Sequence, residues 1–127
     1  SERALLEAAA ALEARSSHPL ARAIMARARV DGIGDKAADD TRTVPGRGVE
    51  GAFGGRAIWL GSDRFAAEKG AGGALPDELR ERIEGAGSTL VAVGAGDTLL
   101  GVLELRDRIR ADARGIEEIS FAWEAGL

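Results

Sequence analysis

Two short runs, residues 49–53 and 56–60, are separated only by Gly54-Gly55. Both are short runs bounded by turn residues, as strands are. A two-residue glycine turn accepts the positive φ angles that a tight hairpin demands. With that turn between them the two runs read as an antiparallel hairpin. Residues 41–44 also read as extended, and a second hairpin is expected from 88–93 and 98–105, turning over 94–97.

The start of the chain follows a different period. In residues 2–14, Leu5, Ala9 and Leu12 recur on one helical face. Ser16-Ser17 breaks that helix, and Pro19 is suited to open a second, because the first helical position needs no N–H. The buried stripe of the second helix is Leu20, Ala23 and Ile24, with Arg22, Arg27 and Arg29 turned to water. Residues 31–40, rich in Gly and Asp, read as a mobile loop. Ser62 is placed to cap a short helix over 63–69 closed by Gly70. Residues 70–74 are loop, and Pro76 starts a further helix to about residue 85. The stretch 106–127 is helical in composition. The sum is an α+β domain: an antiparallel β-sheet of four to six strands, with a helical hairpin and further helices packed on one side.

Composition narrows the function. The 127 residues suit one domain and contain no cysteine, which excludes a disulfide framework, a cysteine zinc site and a Cys-x-x-Cys motif. The formal charge is −4 with both signs interspersed, and no basic stripe carries interleaved aromatics. Nucleic acid is therefore not expected as a partner. No apolar run approaches the roughly 20 residues of a membrane span, and the start is unlike a signal peptide. A soluble cytoplasmic monomer is expected.

Three segments can carry chemistry, and each has a plainer reading. His18, the only histidine, precedes Pro19 and so should sit just outside the helix. There the positive end of the helix dipole disfavours imidazolium. A neutral flat ring suits packing against a purine; it equally suits a simple helix cap. Gly46-Arg47-Gly48-Val49-Glu50-Gly51 spells Gly-x-Gly-x-x-Gly, but it leads into another strand, not into the helix that a dinucleotide fingerprint requires. What survives is a glycine pair that lets a phosphate approach backbone N–H groups, or an ordinary turn. On the ligand reading, Gly48→Val should weaken binding and leave the melting temperature nearly unchanged. Gly61-Ser62-Asp63-Arg64 is a strand-to-helix turn, able to present N–H groups or simply to cap. Trp59 reads as core, and Asp39, Asp40, Asp107 and Asp112 as solvated charges. No nucleophile–base pair, triad or metal-ligand cluster is evident.

Taken in order, these segments resemble the nucleotide-binding (N) domain of the P1B class of P-type ATPases, the heavy-metal pumps. Ser16-Ser17-His18-Pro19, with Glu13 five residues before the histidine, matches that family's Ser-x-His-Pro element. Pro45-Gly46-Arg47-Gly48-Val49 matches its Gly-x-Gly setting, and Gly61-Ser62-Asp63-Arg64 matches a Gly-Asn-Arg-like turn more loosely. Residues 100–110 resemble the return segment into the phosphorylation domain. The resemblance spans roughly residues 3–115. It implies an ATP-binding domain over 1–110. Residues 111–127 are then either the start of the return segment or a tail foreign to the family. It further implies that Glu13 and His18 meet adenine, that Gly46 and Gly48 lie beside ribose and phosphates, and that Ser62 stands where many relatives have Asn. Catalytic residues and metal ligands are not expected here, because the Asp-Lys-Thr-Gly-Thr and Thr-Gly-Asp motifs are absent. Asp35-Lys36-Ala37 is a chance partial match.

By the same resemblance the ligand is ATP, as Mg-ATP in the full-length pump. The partners are the pump's phosphorylation and actuator domains, and the location is the cytoplasmic side of an integral membrane protein. The domain would present the γ-phosphate without turning ATP over alone. The Arg-rich His-Pro segment and the Trp-Leu-Gly-Ser turn sit slightly closer to zinc/cadmium/lead pumps than to copper pumps. The alternative is an interaction or regulatory domain of the same fold class that binds no nucleotide.

Overall fold

The computed structural model describes residues 2–16, 18–34, 36–109 and 115–124, with side chains for all of these except 107–118. Helices α1 (Glu2–Glu13) and α2 (Pro19–Val30) form a hairpin that precedes strands β1 (Asp39–Val44), β2 (Gly48–Phe53) and β3 (Arg56–Gly61). Next come α3 (Asp63–Glu68), a 3-10 turn (Gly72–Ala74) and α4 (Asp77–Gly85), then β4 (Thr89–Ala95), β5 (Thr98–Ile109) and β6 (Gly115–Glu124). The strands form one six-stranded sheet in sequential order with every neighbouring pair antiparallel, so the fold is α+β as the sequence implied. The β2–β3 turn uses Gly54 at φ 62 and Gly55 at φ 77, the double positive φ of a tight hairpin.

Strand periodicity places the core on both faces of the sheet. Ile58, Leu60, Val91, Val93, Leu103 and Ile119 pack under α1 and α2. Their neighbours Trp59, Ala92 and Val102 point the other way and pack with Phe65 and Ile83 of α3 and α4. Helices therefore cover both faces, and the one-sided expectation is corrected. Both faces of the central strands are apolar, so each needs its own cover. Leu5, Leu6 and Ile24 are wholly buried, and burying side chains of that size stabilises by about 1.5–3 kcal/mol each. Trp59 is core, as expected: its ring meets Phe65 edge-on at 5.8 Å, and Nε1–H donates to the Gly96 carbonyl at 2.8 Å.

Two further expectations change. Residues 106–109 extend β5 and 115–124 form β6, so the tail is strand where helix was expected. A register shift between Val102 and Leu103 lets Phe121 pair with Leu103 on one face and Trp123 with Val102 on the other. The helical composition of 106–127 concealed that pairing. Arg22 and Arg29 are exposed as expected, but Arg27 is half-buried, with its guanidinium 4.6 Å over the Phe121 ring. The loop after α2 is tied at both ends, by Ile33 N–H to the Ala28 carbonyl and by Ala38 N–H to the Ala11 carbonyl. Asp39 and Asp40 are exposed, while the Asp107 side chain, Asp112, Asp35 and Ser17 lie outside the described residues. Among the described residues no helix is long and apolar enough to cross a membrane.

Candidate functional site

The α1–α2 junction is built by local hydrogen bonds. Ser16 N–H donates to the Glu13 carbonyl at 3.0 Å, and His18 N–H donates to Ser16 Oγ at 3.2 Å. His18 is the N-cap of α2, with φ −61 and ψ 148, and its Nδ1 accepts from Leu20 N–H at 3.2 Å. An Nδ1 that accepts a hydrogen bond carries no proton, so the neutral ring holds its proton on Nε2. The cap and the ligand-facing ring, set out as alternatives from the sequence, are thus compatible: capping uses one nitrogen and leaves Nε2–H as a donor.

Glu13, on the last turn of α1, is 8% exposed. Burial raises its carboxyl above the ordinary value, opposed by the positive charge of His18 whenever that ring is protonated and by a hydrogen bond with Ser16. The carboxyl is therefore only partly compensated.

Across from this junction the chain reverses at Val44-Pro45-Gly46-Arg47. Arg47 N–H donates to the Val44 carbonyl at 2.9 Å and Gly46 has φ +73, which with Pro at the second place is a type II turn. Nothing lies within 4 Å of a Cβ at Gly46, so its outer side is open. Gly48 differs. A Cβ there would stand 2.0 Å from the Leu60 carbonyl oxygen and 2.6 Å from Gly61 Cα. Gly48 is glycine because it lies directly opposite Gly61 of β3, with no room for a Cβ against that backbone, and the expectation that Gly48→Val would spare stability is overturned. Ser62 caps α3 through Oγ, which accepts from Phe65 N–H at 3.2 Å, while its own N–H donates to the Arg47 carbonyl at 2.9 Å.

Glu13, His18, Gly46, Gly48 and Ser62 all line one cleft of about 400 Å³, within the roughly 300–1,000 Å³ of small-molecule sites. It opens where β3 stops at Gly61 while β4 continues through Thr89, Leu90 and Val91 toward α4. Leu20, Val44, Val49, Leu60 and Leu90 give it apolar walls, which accounts for Leu20 being only half-buried. A second groove of about 730 Å³ shares Glu13, Ser16, Thr43 and Val49 with it. Among the described residues no group of three or more His, Cys, Asp or Glu could hold a metal ion.

Sequence reasoning passed over Arg47, the variable residue between the two glycines, which also lines the cleft and whose Nε donates to Glu68 Oε2 at 2.8 Å. It also passed over Glu104, 1% exposed on β5. Burial alone would raise that carboxyl, but hydrogen bonds from Arg106, Ser88 and Arg82 outweigh it and hold the pKa below the ordinary value.

No family model matches the chain. The chain is 40% identical over 114 residues to the copper-exporting P-type ATPase B of Archaeoglobus fulgidus, covering 90% of this chain and 16% of that pump. It is 38% identical over 113 residues to the zinc/cadmium/lead-transporting P-type ATPase of Escherichia coli, covering 89% of this chain and 15% of that one. Its fold matches a zinc-transporting PIB-type ATPase in the E2·Pi state with TM-score 0.70 at 35% identity, over 89% of this chain and 18% of that one. It also matches the N-domain of HMA8, a copper-transporting P-type ATPase, with TM-score 0.61 at 25% identity, over 80% of this chain and 87% of that one. The chain thus spans a small part of the curated pumps and nearly all of a solved N-domain. It belongs to the P1B heavy-metal-transporting P-type ATPase family, to the nucleotide-binding (N) domain of those pumps.

Proposed function

We propose that the cleft binds ATP, with adenine at the Glu13–His18 end and the ribose and phosphates along the Gly46 turn. One observation carries this reading: side chains and turns from α1, the α1–α2 junction, the β1–β2 turn and the β3–α3 turn converge on a single apolar-walled cleft. Within it the neutral His18 ring supplies a flat face and a donor. The Glu13 carboxylate would accept from the adenine 6-amino group. Guanine presents a carbonyl there, and a buried carboxylate left facing a carbonyl costs more than a lost hydrogen bond.

The chain's share of the chemistry is positioning. It holds ATP, as Mg-ATP in the whole pump, so that the γ-phosphate reaches an aspartate of the phosphorylation domain. The actuator domain completes the cycle on the cytoplasmic side of the membrane. Alone, as a monomer, the domain binds ATP without releasing phosphate. Relatives named for copper and for zinc/cadmium/lead match it at 40% and 38% identity. Selection of the exported metal is therefore assigned to other parts of the pump.

The test is a calorimetric titration of the wild type and His18→Gln. His18→Gln should weaken ATP, ADP and AMP by similar factors, corresponding to about 1–3 kcal/mol for a ring stacked on a base, and GTP should bind the wild type poorly. His18 and Ser62 already serve as caps and Gly48 packs on backbone. Those roles would also serve the second reading, an interaction domain without nucleotide. Adenine nucleotides indifferent to His18→Gln, or GTP binding as well as ATP, would overturn the adenine-pocket assignment and leave His18 a plain helix cap; no binding of any nucleotide would establish the second reading.

A further inference from the structure

Arg47 is the only cationic side chain among the described residues lining the cleft. Its backbone is fixed at both peptide groups: N–H to the Val44 carbonyl and carbonyl from Ser62 N–H, both 2.9 Å. The side chain is held far more lightly. The bond to Glu68 uses Nε at 2.8 Å, with the two side chains 33% and 44% exposed. Ion pairs so open to water are weak. Glu68 ends α3, whose last turn carries no basic residue, so its carboxylate also sits at the unfavourable negative end of the helix dipole. A rigid stem thus carries a guanidinium paired with a weakly held, single carboxylate.

We propose that Arg47 binds the polyphosphate of the nucleotide, and that Glu68 competes with that polyphosphate for the guanidinium. The proposal rests on the nucleotide reading of the cleft and adds to it the residue that distinguishes ATP from adenosine. Chemistry sets the direction of exchange. A polyphosphate offers several anionic oxygens and accepts from guanidinium through paired, charge-assisted bonds. Glu68 offers one carboxylate, partly hydrated. Glu68 is then a brake on affinity and Arg47 its source, although the two are partners in one ion pair.

That opposition is testable by sign. Wild type, Arg47→Gln and Glu68→Gln are each titrated with ATP and with adenosine by calorimetry, with melting temperatures recorded alongside. Arg47→Gln keeps both backbone bonds of residue 47, and Glu68→Gln removes an unfavourable charge from the end of α3, so both variants should fold. Arg47→Gln should weaken ATP about tenfold or more. Glu68→Gln should tighten ATP about two- to fivefold, the release of an exposed ion pair. Adenosine should change by less than about twofold in either variant. ATP affinity moving the same way in both variants would make the ion pair a mere clamp on the loop and overturn the proposal. So would adenosine moving in step with ATP, or ATP binding unaffected by Arg47→Gln. Failure of the wild type to bind ATP or adenosine at all would instead overturn the reading of the cleft itself, and the proposal with it.

Discussion

Glu13 and Glu104 are the two charged residues buried among the described residues, at 8% and 1% exposure, and they are treated in opposite ways. Glu104 is saturated: Arg82 Nη1 and Arg106 Nε reach its two oxygens at 3.1 Å each, and its pKa is lowered despite burial. Glu13 lies at the edge of the cleft, where burial dominates and its pKa is raised. A carboxylate whose partners are supplied within the fold holds that fold together. One with few partners costs stability, which a ligand can return by supplying the missing donor. The same division separates two glycines of one motif. Gly48 is pressed against β3 backbone, and Gly46 faces open space.

Gly48→Val challenges that division most severely. Its new side chain would begin inside the β3 backbone, so we expect a loss of about 3 kcal/mol or more in denaturant unfolding, or failure to fold. A stable Gly48→Val protein with lost affinity would instead move Gly48 to the ligand side of the comparison.

Glu104→Ala comes next. Arg82 and Arg106 are half-exposed and can turn to water, so the loss should be about 1–3 kcal/mol, without effect on nucleotide affinity. Urea unfolding together with an ATP titration of the surviving folded protein checks both halves.

Glu13→Gln should show the reverse: stability within about 1 kcal/mol of wild type, ATP affinity down about three- to tenfold, the cost of one weakened hydrogen bond to a charged group, and less discrimination against GTP. Acid should separate the pair as well. The lowered pKa of Glu104 gives stability that is present above the ordinary carboxylate value of 4.5 and lost as pH falls through its folded pKa. The raised pKa of Glu13 means that its charge costs stability at neutral pH, a cost relieved as pH falls through its folded pKa toward 4.5. Stability measured against pH should therefore fall less on the acid side in Glu104→Gln, where Glu50 with its own lowered pKa still contributes, and lose the Glu13 relief in Glu13→Gln.

The sequence showed what is local. The Gly54-Gly55 turn, the Leu5-Ala9-Leu12 stripe and the Ser62 and Gly70 helix ends need only neighbours in the chain, and each was legible. What depends on distant partners was not. Residues 106–127 are helical in composition, and although Ile119, Phe121 and Trp123 alternate as strand residues do, it is the pairing of 115–124 with β5 that makes this stretch a strand. Glu104 within Leu103-Glu104-Leu105 reads as a solvent face until Arg82, 22 residues earlier, is brought onto it. Four of the five candidate ligand residues, His18, Gly46, Gly48 and Ser62, lay in segments that local chemistry marked beside a plainer reading; Glu13 and the ligand roles came from family resemblance. The reason for Gly48 came only with the β2–β3 pairing.

The central claim is that the cleft between His18 and Gly46 is where nucleotide binds. An NMR titration of the isotope-labelled chain with ATP addresses it most directly. The account predicts saturable shifts of the His18 ring and of the Gly46 and Ser62 amides with one common dissociation constant, while the Arg82 and Glu104 amides stay still. Saturable binding that shifts the Glu104 cluster and leaves His18 and Gly46 unmoved would contradict it, as would no binding at millimolar ATP.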